Sequence, residues 1–400
     1  MRIELINTGS ELMLGFTVNS HLGYLGRQLA DIGLRLDRQT TIADDRLEMR
    51  AAVAEALQRS DVVLITGGLG PTSDDFTRDV VAELLGRPLV RDDSLAAAIT
   101  ERFRKRGVRM PEQVLVQALV PTGARVLPNP NGTAPGLAIE HAGKWIFLLP
   151  GPPRELKPMF EEHVLPVLKK KFAPPAAPDC RVFKVVGLAE SLVEERIGEF
   201  PGIELGFCAR MGEVEVRIIG HDLAEPERRI RASLGDFLFG TGTERLEDVV
   251  VRQLTAAGKT IAVAESCTGG QIAHRITNVS GASHVFLSGC ITYSNDEKVR
   301  LLGVRPETLA KHGAVSEEVA REMAQGCRQR SGADFALSTT GIAGPTGGTP
   351  ERPVGLVFVG FATPTGTEVR RHTLLFDRET FKFFVSQYAL DMVRRELLKI

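Results

Sequence analysis

The chain has 400 residues, 43% hydrophobic and 25% charged, which is the globular average and excludes a mainly disordered or fibrous molecule. At roughly 150 residues per domain, that length predicts two or three cores and excludes a single small module. Lys and Arg number 49 against 50 Asp and Glu, a net charge of -1, so no global positive field draws the chain to nucleic acid or an acidic membrane.

The apolar runs Val62-Val63-Leu64-Ile65 and Ile146-Phe147-Leu148-Leu149 fall far short of the roughly 20 residues that span a bilayer. No membrane span is expected. Met1-Arg2-Ile3-Glu4-Leu5-Ile6 reads as a strand rather than a signal core, so a cytoplasmic location is expected. Cys180, Cys208, Cys267, Cys290 and Cys327 are scattered, with no CxxC pair; reduced thiols are expected, not a disulfide framework or structural zinc.

The first stretch alternates strand-like Ile3 to Ile6, a helix near Asn19 to Ile32 and strand-like Asp61 to Thr66. This order predicts a parallel sheet with helices on both faces and ligands at the strand C-ends. The loop Gly67-Gly68-Leu69-Gly70-Pro71-Thr72-Ser73-Asp74-Asp75 follows such an end. It lacks the lysine of a P-loop and carries two acids instead, which repel phosphate unless a cation bridges them, so a divalent metal between Asp74 or Asp75 and a phosphorylated ligand is expected. The alternative is that the two acids cap the helix starting near Phe76. Glu11 in Thr8-Gly9-Ser10-Glu11-Leu12, the segment Asn131-Gly132-Thr133-Ala134-Pro135-Gly136 and the loop Pro150-Gly151-Pro152-Pro153 are further candidates.

Phe172-Ala173-Pro174-Pro175-Ala176-Ala177-Pro178 cannot continue a helix and reads as a linker. Beyond it, a strand at Arg181 to Val186, a helix near Glu190 to Glu199, strands at Ile203 to Ala209 and Glu213 to Ile219, and a helix from Pro226 to Phe239 predict a small α+β unit. A second α/β domain starts at the buried strand Thr260 to Glu265.

In that domain Glu265-Ser266-Cys267-Thr268-Gly269-Gly270 joins a strand to a helix near Gln271. A Ser at such a turn meets backbone N–H groups that suit an oxyanion or phosphate, while an N-capped helix is the alternative. Cys267 is the rival nucleophile. Ile291-Thr292-Tyr293-Ser294-Asn295-Asp296-Glu297-Lys298 turns from strand to helix, so Tyr293 and Lys298 can approach Ser266. A Ser–Lys pair works as nucleophile and base only if the lysine pKa falls about three units through burial or nearby positive charge; a solvated surface lysine is the alternative. The strand Phe335 to Leu337 leads into a Gly-rich loop, Ser338-Thr339-Thr340-Gly341-Ile342-Ala343-Gly344-Pro345-Thr346-Gly347-Gly348, able to wrap a ligand. Arg378, opening the last helix, is either a phosphate ligand or a surface arginine.

These motifs carry a resemblance. The Gly67 to Asp75 loop, Asn131 to Gly136 and Leu149-Pro150-Gly151-Pro152-Pro153 resemble the N-terminal half of the competence/damage-inducible CinA family. Ala264 to Gly270, Thr292-Tyr293-Ser294-Asn295 with Lys298, Gly313-Ala314-Val315-Ser316 and Gly341-Ile342-Ala343-Gly344-Pro345 resemble its C-terminal amidase domain. The resemblance implies an α/β bacterial protein of three parts: a molybdopterin-binding-like three-layer domain over 1–171, a KH-type α+β domain over 178–240, and a three-layer amidase domain over 244–400. It implies hydrolysis of nicotinamide mononucleotide (NMN) to nicotinic acid mononucleotide and ammonia, in pyridine nucleotide salvage, without a cofactor. Ser266 and Lys298 take the places of nucleophile and base, with Tyr293 nearby; Glu265, Thr268, Gly269, Gly270, Asn295, Thr340, Gly341, Ala343, Gly344 and Arg378 take those of substrate contacts.

For the N-terminal domain the resemblance implies an ADP-ribose pyrophosphatase that uses a divalent metal of the Mg2+ or Co2+ type and K+. Gly67, Gly68, Gly70, Thr72, Asn131, Gly132 and Gly151 hold the nucleotide, and Asp74, Asp75 and Glu11 the metal. It also implies a homodimer. Where the family shows Asn-Thr-Asn, this chain has Asn19-Ser20-His21, which sets the contact from position 21 apart. The competing reading is a competence- or damage-related binding or regulatory protein, its N-terminal domain holding a molybdopterin or nucleotide. Arg228, Arg229 and Arg231 lie among Glu225, Glu227 and Asp236 in the middle segment, so a nucleic-acid partner is not expected.

Overall fold

The computed structural model describes residues 1–172, 174 and 178–400, so the four linker residues Ala173, Pro175, Ala176 and Ala177 lie outside the described residues. Backbone contacts divide the chain into two compact units, Met1–Pro178 and Asp179–Ile400.

The first unit is built on β1 (Ile3–Thr8), β2 (Arg38–Ile42), β3 (Val62–Thr66), a short pair β4 (Leu89–Arg91) and β5 (Leu119–Pro121), then β6 (Arg125–Leu127), β7 (Gly136–His141) and β8 (Lys144–Leu149). The main sheet runs β2-β1-β3-β8-β7-β6. Its first four strands are parallel, as expected, but β7 runs against them, pairing antiparallel with both β8 and β6. The reason is local: Ala142-Gly143 closes a tight hairpin between β7 and β8, with positive φ at both residues, and a hairpin forces antiparallel pairing. Successive side chains point to opposite faces, so β3 is apolar at consecutive positions because both faces are covered. Leu5, Val62, Leu64 and Phe147 pack on one side with Leu25 and Leu29 of the helix His21–Ala30. Ile6, Val63, Ile65 and Ile146 pack on the other with Met49, Val53 and Ala56 of the helix Arg46–Arg59.

The second unit begins with an antiparallel sheet of β9 (Asp179–Val185), β10 (Glu204–Arg210), β11 (Glu213–Gly220) and β12 (Leu238–Thr241), ordered β10-β11-β9-β12. Val193, Ile197, Ile230 and Leu234 of its two helices cover Phe183, Val185, Val216 and Ile218. The helix expected to reach Phe239 ends at Leu234. Gly235 follows with φ 49, a left-handed conformation that stops the helix, and Leu238 and Phe239 join the sheet instead.

The C-terminal sheet contains β13 (Ile261–Glu265), β14 (Phe286–Ile291), β15 (Phe335–Gly341), β16 (Leu356–Thr363) and β17 (Gly366–Thr373), in the order β14-β13-β15-β16-β17. β14, β13 and β15 are parallel neighbours, with Glu265 level with Ile291 and Thr339. Ala262, Ala264 and Ala336 face the helix Glu317–Ser331; the small side chains leave room for its Met323 and Cys327. Val263, Leu337 and Val359 face the opposite layer, which includes Phe381, Val385 and Leu390 of the helix Arg378–Leu397. Arg394 of that helix is 1% exposed and donates to the carbonyls of Asp236 and Leu238, which ties the small sheet to this layer. No described helix is long and apolar enough to cross a membrane.

Candidate active sites

The C-ends of three parallel strands bring the C-terminal candidates together. β13 ends at Glu265 and delivers Ser266; β14 ends at Ile291 and delivers Thr292, whose N–H donates to the Glu265 carbonyl at 2.8 Å. The helix Asn295–Leu302, capped by the Ser294 hydroxyl, carries Lys298 back over that end. Lys298 Nζ lies 3.2 Å from Ser266 Oγ and donates to the Thr292 carbonyl at 2.8 Å. Lys298 is 2% exposed and Ser266 9%, so the lysine is not a solvated surface group. Burial draws its pKa below the ordinary lysine value, because an ammonium loses hydration there and no carboxylate among the described residues bonds to it.

The neighbouring residues divide into scaffold and free groups. The Glu265 carboxylate accepts from the N–H groups of Gly270, Ile272 and Ala273 at 3.0, 3.2 and 2.9 Å. It thereby satisfies the N-terminus of the helix Gln271–Thr277, which has no side-chain cap at Gly270. Gly269 N–H donates to the Ser266 carbonyl at 3.1 Å. The Gly269 and Gly270 amides are thus already engaged, whereas the Cys267 and Thr268 amides have no backbone partner among the described residues. The Thr268 hydroxyl pairs with that of Thr339 at 2.7 Å. Cys267 is buried and its thiol pushed up to about 12, mainly by desolvation, so it stays protonated and is no rival nucleophile at neutral pH.

The rim is basic. Arg378 donates to the Tyr293 hydroxyl at 2.8 Å and to the Gly344 carbonyl at 2.9 Å, joining three sequence candidates. Lys382, one turn on, sits beside Gly269, where a Cβ would meet its Nζ at 3.6 Å. Strand β15 continues through Gly341, so the Gly-rich loop starts at Ile342, four residues later than expected. Thr340 is accordingly buried, and its hydroxyl donates to the Ala314 carbonyl at 2.7 Å. Ala343 is buried at the start of the loop. Asn295 is exposed at the helix start. Sequence reasoning placed Thr292 and Thr339 in candidate segments without a role and missed Lys382, which follows from i, i+4 spacing with Arg378 on one helix.

In the first unit a cleft of about 470 Å3 collects Glu11, Gly67, Gly68, Gly70, Asp74, Asp75, Asn131, Gly132 and Gly151. Gly68 has φ +65, and a Cβ there would collide with Thr77 Oγ1; a Cβ on Gly132 would collide with the Glu155 carboxylate. Thr72 donates from its N–H to Asp75 at 3.0 Å and also from its hydroxyl. Asp75 is therefore a loop clamp, and the helix Thr77–Leu84 begins with no side-chain cap at Phe76. Asn129 accepts from Asn131 and Gly132 N–H at 3.0 and 2.8 Å, which stiffens the facing loop. Asp44, Gln117, Arg154 and Glu155 also line the cleft. Asp44 was missed although it follows the C-end of β2, the position that strand topology singles out. His21 Nδ1 lies 3.0 Å from Thr66 Oγ1, and burial keeps the imidazole pKa low. Among the described residues, no three His, Cys, Asp or Glu side chains converge into a ready metal cage.

Two family models match separate parts of the chain. Residues 243–397 match the family described as CinA C-terminal domain, and residues 4–170 match the family described as Probable molybdopterin binding domain. A protein of Caldicellulosiruptor saccharolyticus named as competence-damage inducible is 46% identical over 411 residues, covering 100% of both chains. A CinA-like protein of Kosmotoga olearia is 44% identical over 417 residues, again covering 100% of both. The crystal structure of a competence/damage inducible protein from Agrobacterium tumefaciens is 40% identical, covers 38% of this chain and 92% of its own, and has a TM-score of 0.36.

Proposed function

This chain belongs to the CinA family, and from that premise we propose that its C-terminal domain is an amidase that hydrolyses NMN to nicotinic acid mononucleotide and ammonia. The observation that carries the reading is the buried contact of Lys298 Nζ with Ser266 Oγ at 3.2 Å. With Lys298 neutral, the Ser266 hydroxyl donates its proton to Nζ as Oγ bonds to the carboxamide carbon. The Cys267 and Thr268 amides, which have no backbone partner among the described residues, suit the resulting oxyanion. Collapse breaks the C–N bond, and the Lys298 ammonium returns the proton to the departing nitrogen, which leaves as ammonia. Lys298 then takes a proton from water as its oxygen attacks the acyl ester; the C–O bond breaks, Ser266 recovers its proton and the carboxylate is released. Arg378 and Lys382 supply positive charge for the substrate phosphate. Ammonia release from NMN, compared between wild type, Ser266→Ala and Lys298→Met, tests the reading.

The N-terminal cleft supports a second hydrolytic activity, metal-dependent cleavage of ADP-ribose. Asp44 is occupied by Thr8 Oγ1 and Ser10 N–H, both at 2.8 Å, Asp75 by Thr72 and Glu155 by Asn129 Nδ2 at 2.8 Å; Glu11 and Asp74, the latter also hydrogen-bonded by Thr72, are the carboxylates we assign to a cation. Two carboxylates completed by ligand phosphates and water fit magnesium better than an all-protein cage does. Such a cation would neutralise the phosphate charge that Asp74 otherwise repels; Gly67, Gly68 and Gly70 let the backbone approach the diphosphate. AMP release from ADP-ribose with and without chelator tests this activity separately.

A further inference from the structure

The helix that carries Lys298 ends against one face of the helix Glu317–Ser331. Glu322, Gly326 and Arg330 recur there at i, i+4 and i+8, so they share that face. Each meets the end of the helix Asn295–Leu302 or the turn that follows it. The Arg330 guanidinium donates to the Arg300 carbonyl at 3.2 Å. The Glu322 carboxylate accepts from the N–H and the Nε of Arg305, both at 2.9 Å, and from the Thr308 hydroxyl at 2.8 Å. Between these anchors, a Cβ on Gly326 would lie 1.7 Å from the Leu302 carbonyl oxygen. Glycine is otherwise a poor helix former, so this close approach is what the position requires.

A side-chain carbon needs at least 3.0 Å from such an oxygen, so any side chain at 326 would push the two backbones apart by roughly 1 Å. Lys298 lies one turn before Leu302, about 6 Å along the axis at 1.5 Å per residue. The start of its helix is held, because the Ser294 hydroxyl accepts from the Glu297 N–H at 3.2 Å and the Thr292 N–H donates to the Glu265 carbonyl at 2.8 Å. A lift at Leu302 therefore tilts the helix about its start and moves Lys298, midway along it, by roughly 0.5 Å, the tolerance within which a catalytic constellation must be held. The tilt also admits water to a lysine that is 2% exposed. We propose that Gly326 is a positioning residue of the amidase: it sets the depth of the lysine helix and, with Glu322 and Arg330, holds Lys298 Nζ at Ser266 Oγ. The inference rests on the amidase reading above and adds to it a residue that acts through another.

The test is steady-state ammonia release from NMN as a function of pH by the full chain, by Gly326→Ala and by Glu322→Ala, with circular dichroism to confirm folding. Gly326→Ala is expected to lower kcat about ten-fold, the cost of a small misplacement, with KM within about three-fold of wild type, since Arg378 and Lys382 stand on another helix. The rising limb of kcat/KM moves to higher pH, because a better hydrated ammonium gives up its proton less readily; a merely structural loss would lower the melting temperature and leave the limb in place. Glu322→Ala loosens the same seat without adding an atom to it, so it moves the limb in the same direction and replaces Gly326→Ala if that variant does not fold. A limb that stays at its wild-type position in the folded variant, whatever the kcat, would overturn the positioning role alone. No ammonia release from folded wild type would overturn the amidase reading and this role with it.

Discussion

Lys298 Nζ lies 3.2 Å from Ser266 Oγ and 2.8 Å from the Thr292 carbonyl, and these two contacts fix where its lone pair points once it loses a proton. The Thr292 carbonyl occupies one N–H, the serine sits on a second direction, and burial favours the neutral amine. General bases of this kind contribute about 10²- to 10⁴-fold to turnover. Lys298→Met should therefore lower kcat for NMN by about that factor while KM changes little, as measured by steady-state ammonia release. A kcat within three-fold of wild type would remove Lys298 from the proton transfer.

The lysine also sets a pH dependence. Its pKa in the fold is lowered from 10.5, so kcat/KM should rise with pH and level off below pH 10.5, with the rising limb absent in Lys298→Met. Stability carries the matching sign. A depressed lysine pKa costs stability at pH values below the folded pKa, and the cost fades as pH climbs towards the unfolded value. The melting temperature of Lys298→Met relative to wild type should therefore be most favourable at low pH and decline as pH rises through that window. A difference independent of pH would contradict the shift.

Cys267 is inert in this account. With its thiol pushed up to about 12 and 5% exposed, it should resist iodoacetamide at pH 8 while exposed Cys208 reacts. Cys267→Ala should keep kcat within a few-fold and lose about 1 kcal/mol of stability, the ordinary cost of a small core deletion. Loss of ammonia release in a folded Cys267→Ala protein would restore the thiol as nucleophile.

The rim arginine and lysine should act on binding. Arg378→Ala and Lys382→Ala are each expected to raise KM for NMN about 10- to 100-fold, the range for losing a charge-assisted hydrogen bond. Nicotinamide riboside, which lacks the phosphate, should show no such change. A parallel loss on both substrates would assign these residues to the fold rather than to phosphate recognition.

The N-terminal site should separate cleanly from the C-terminal one. Asp74→Asn is expected to abolish Mg2+-stimulated AMP release from ADP-ribose and leave ammonia release from NMN at the wild-type rate. Unchanged, chelator-insensitive AMP release would remove the carboxylate from any metal role.

What could be read in the sequence followed from local rules. Strands such as Val62–Thr66 and Ile261–Glu265 are short apolar runs ending in Gly-rich or hydroxyl-rich turns, so their C-ends and the loops after them were visible. The nearness of Ser266 and Lys298 was an expectation from strand order; the burial of Lys298 was not, because Asp296 and Glu297 beside it suggest a solvated face and only the packing of its helix over β14 hides the lysine. Competition between hydrogen bonds was equally hidden. Nothing in Glu265-Ser266-Cys267-Thr268-Gly269-Gly270 says that the Glu265 carboxylate takes the Gly270 amide while those of Cys267 and Thr268 have no backbone partner among the described residues. The antiparallel strand β7 depends on the Ala142-Gly143 turn, where both residues have positive φ, and the strand β12 on the stop at the single residue Gly235.

The most direct measurement is ammonia released from NMN by the purified chain and by Ser266→Ala, with circular dichroism confirming that both are folded. The account predicts release by wild type and loss of at least a thousand-fold in the variant, the scale set by removing a catalytic nucleophile. Release at an unchanged rate by Ser266→Ala, or none from folded wild type, would contradict it.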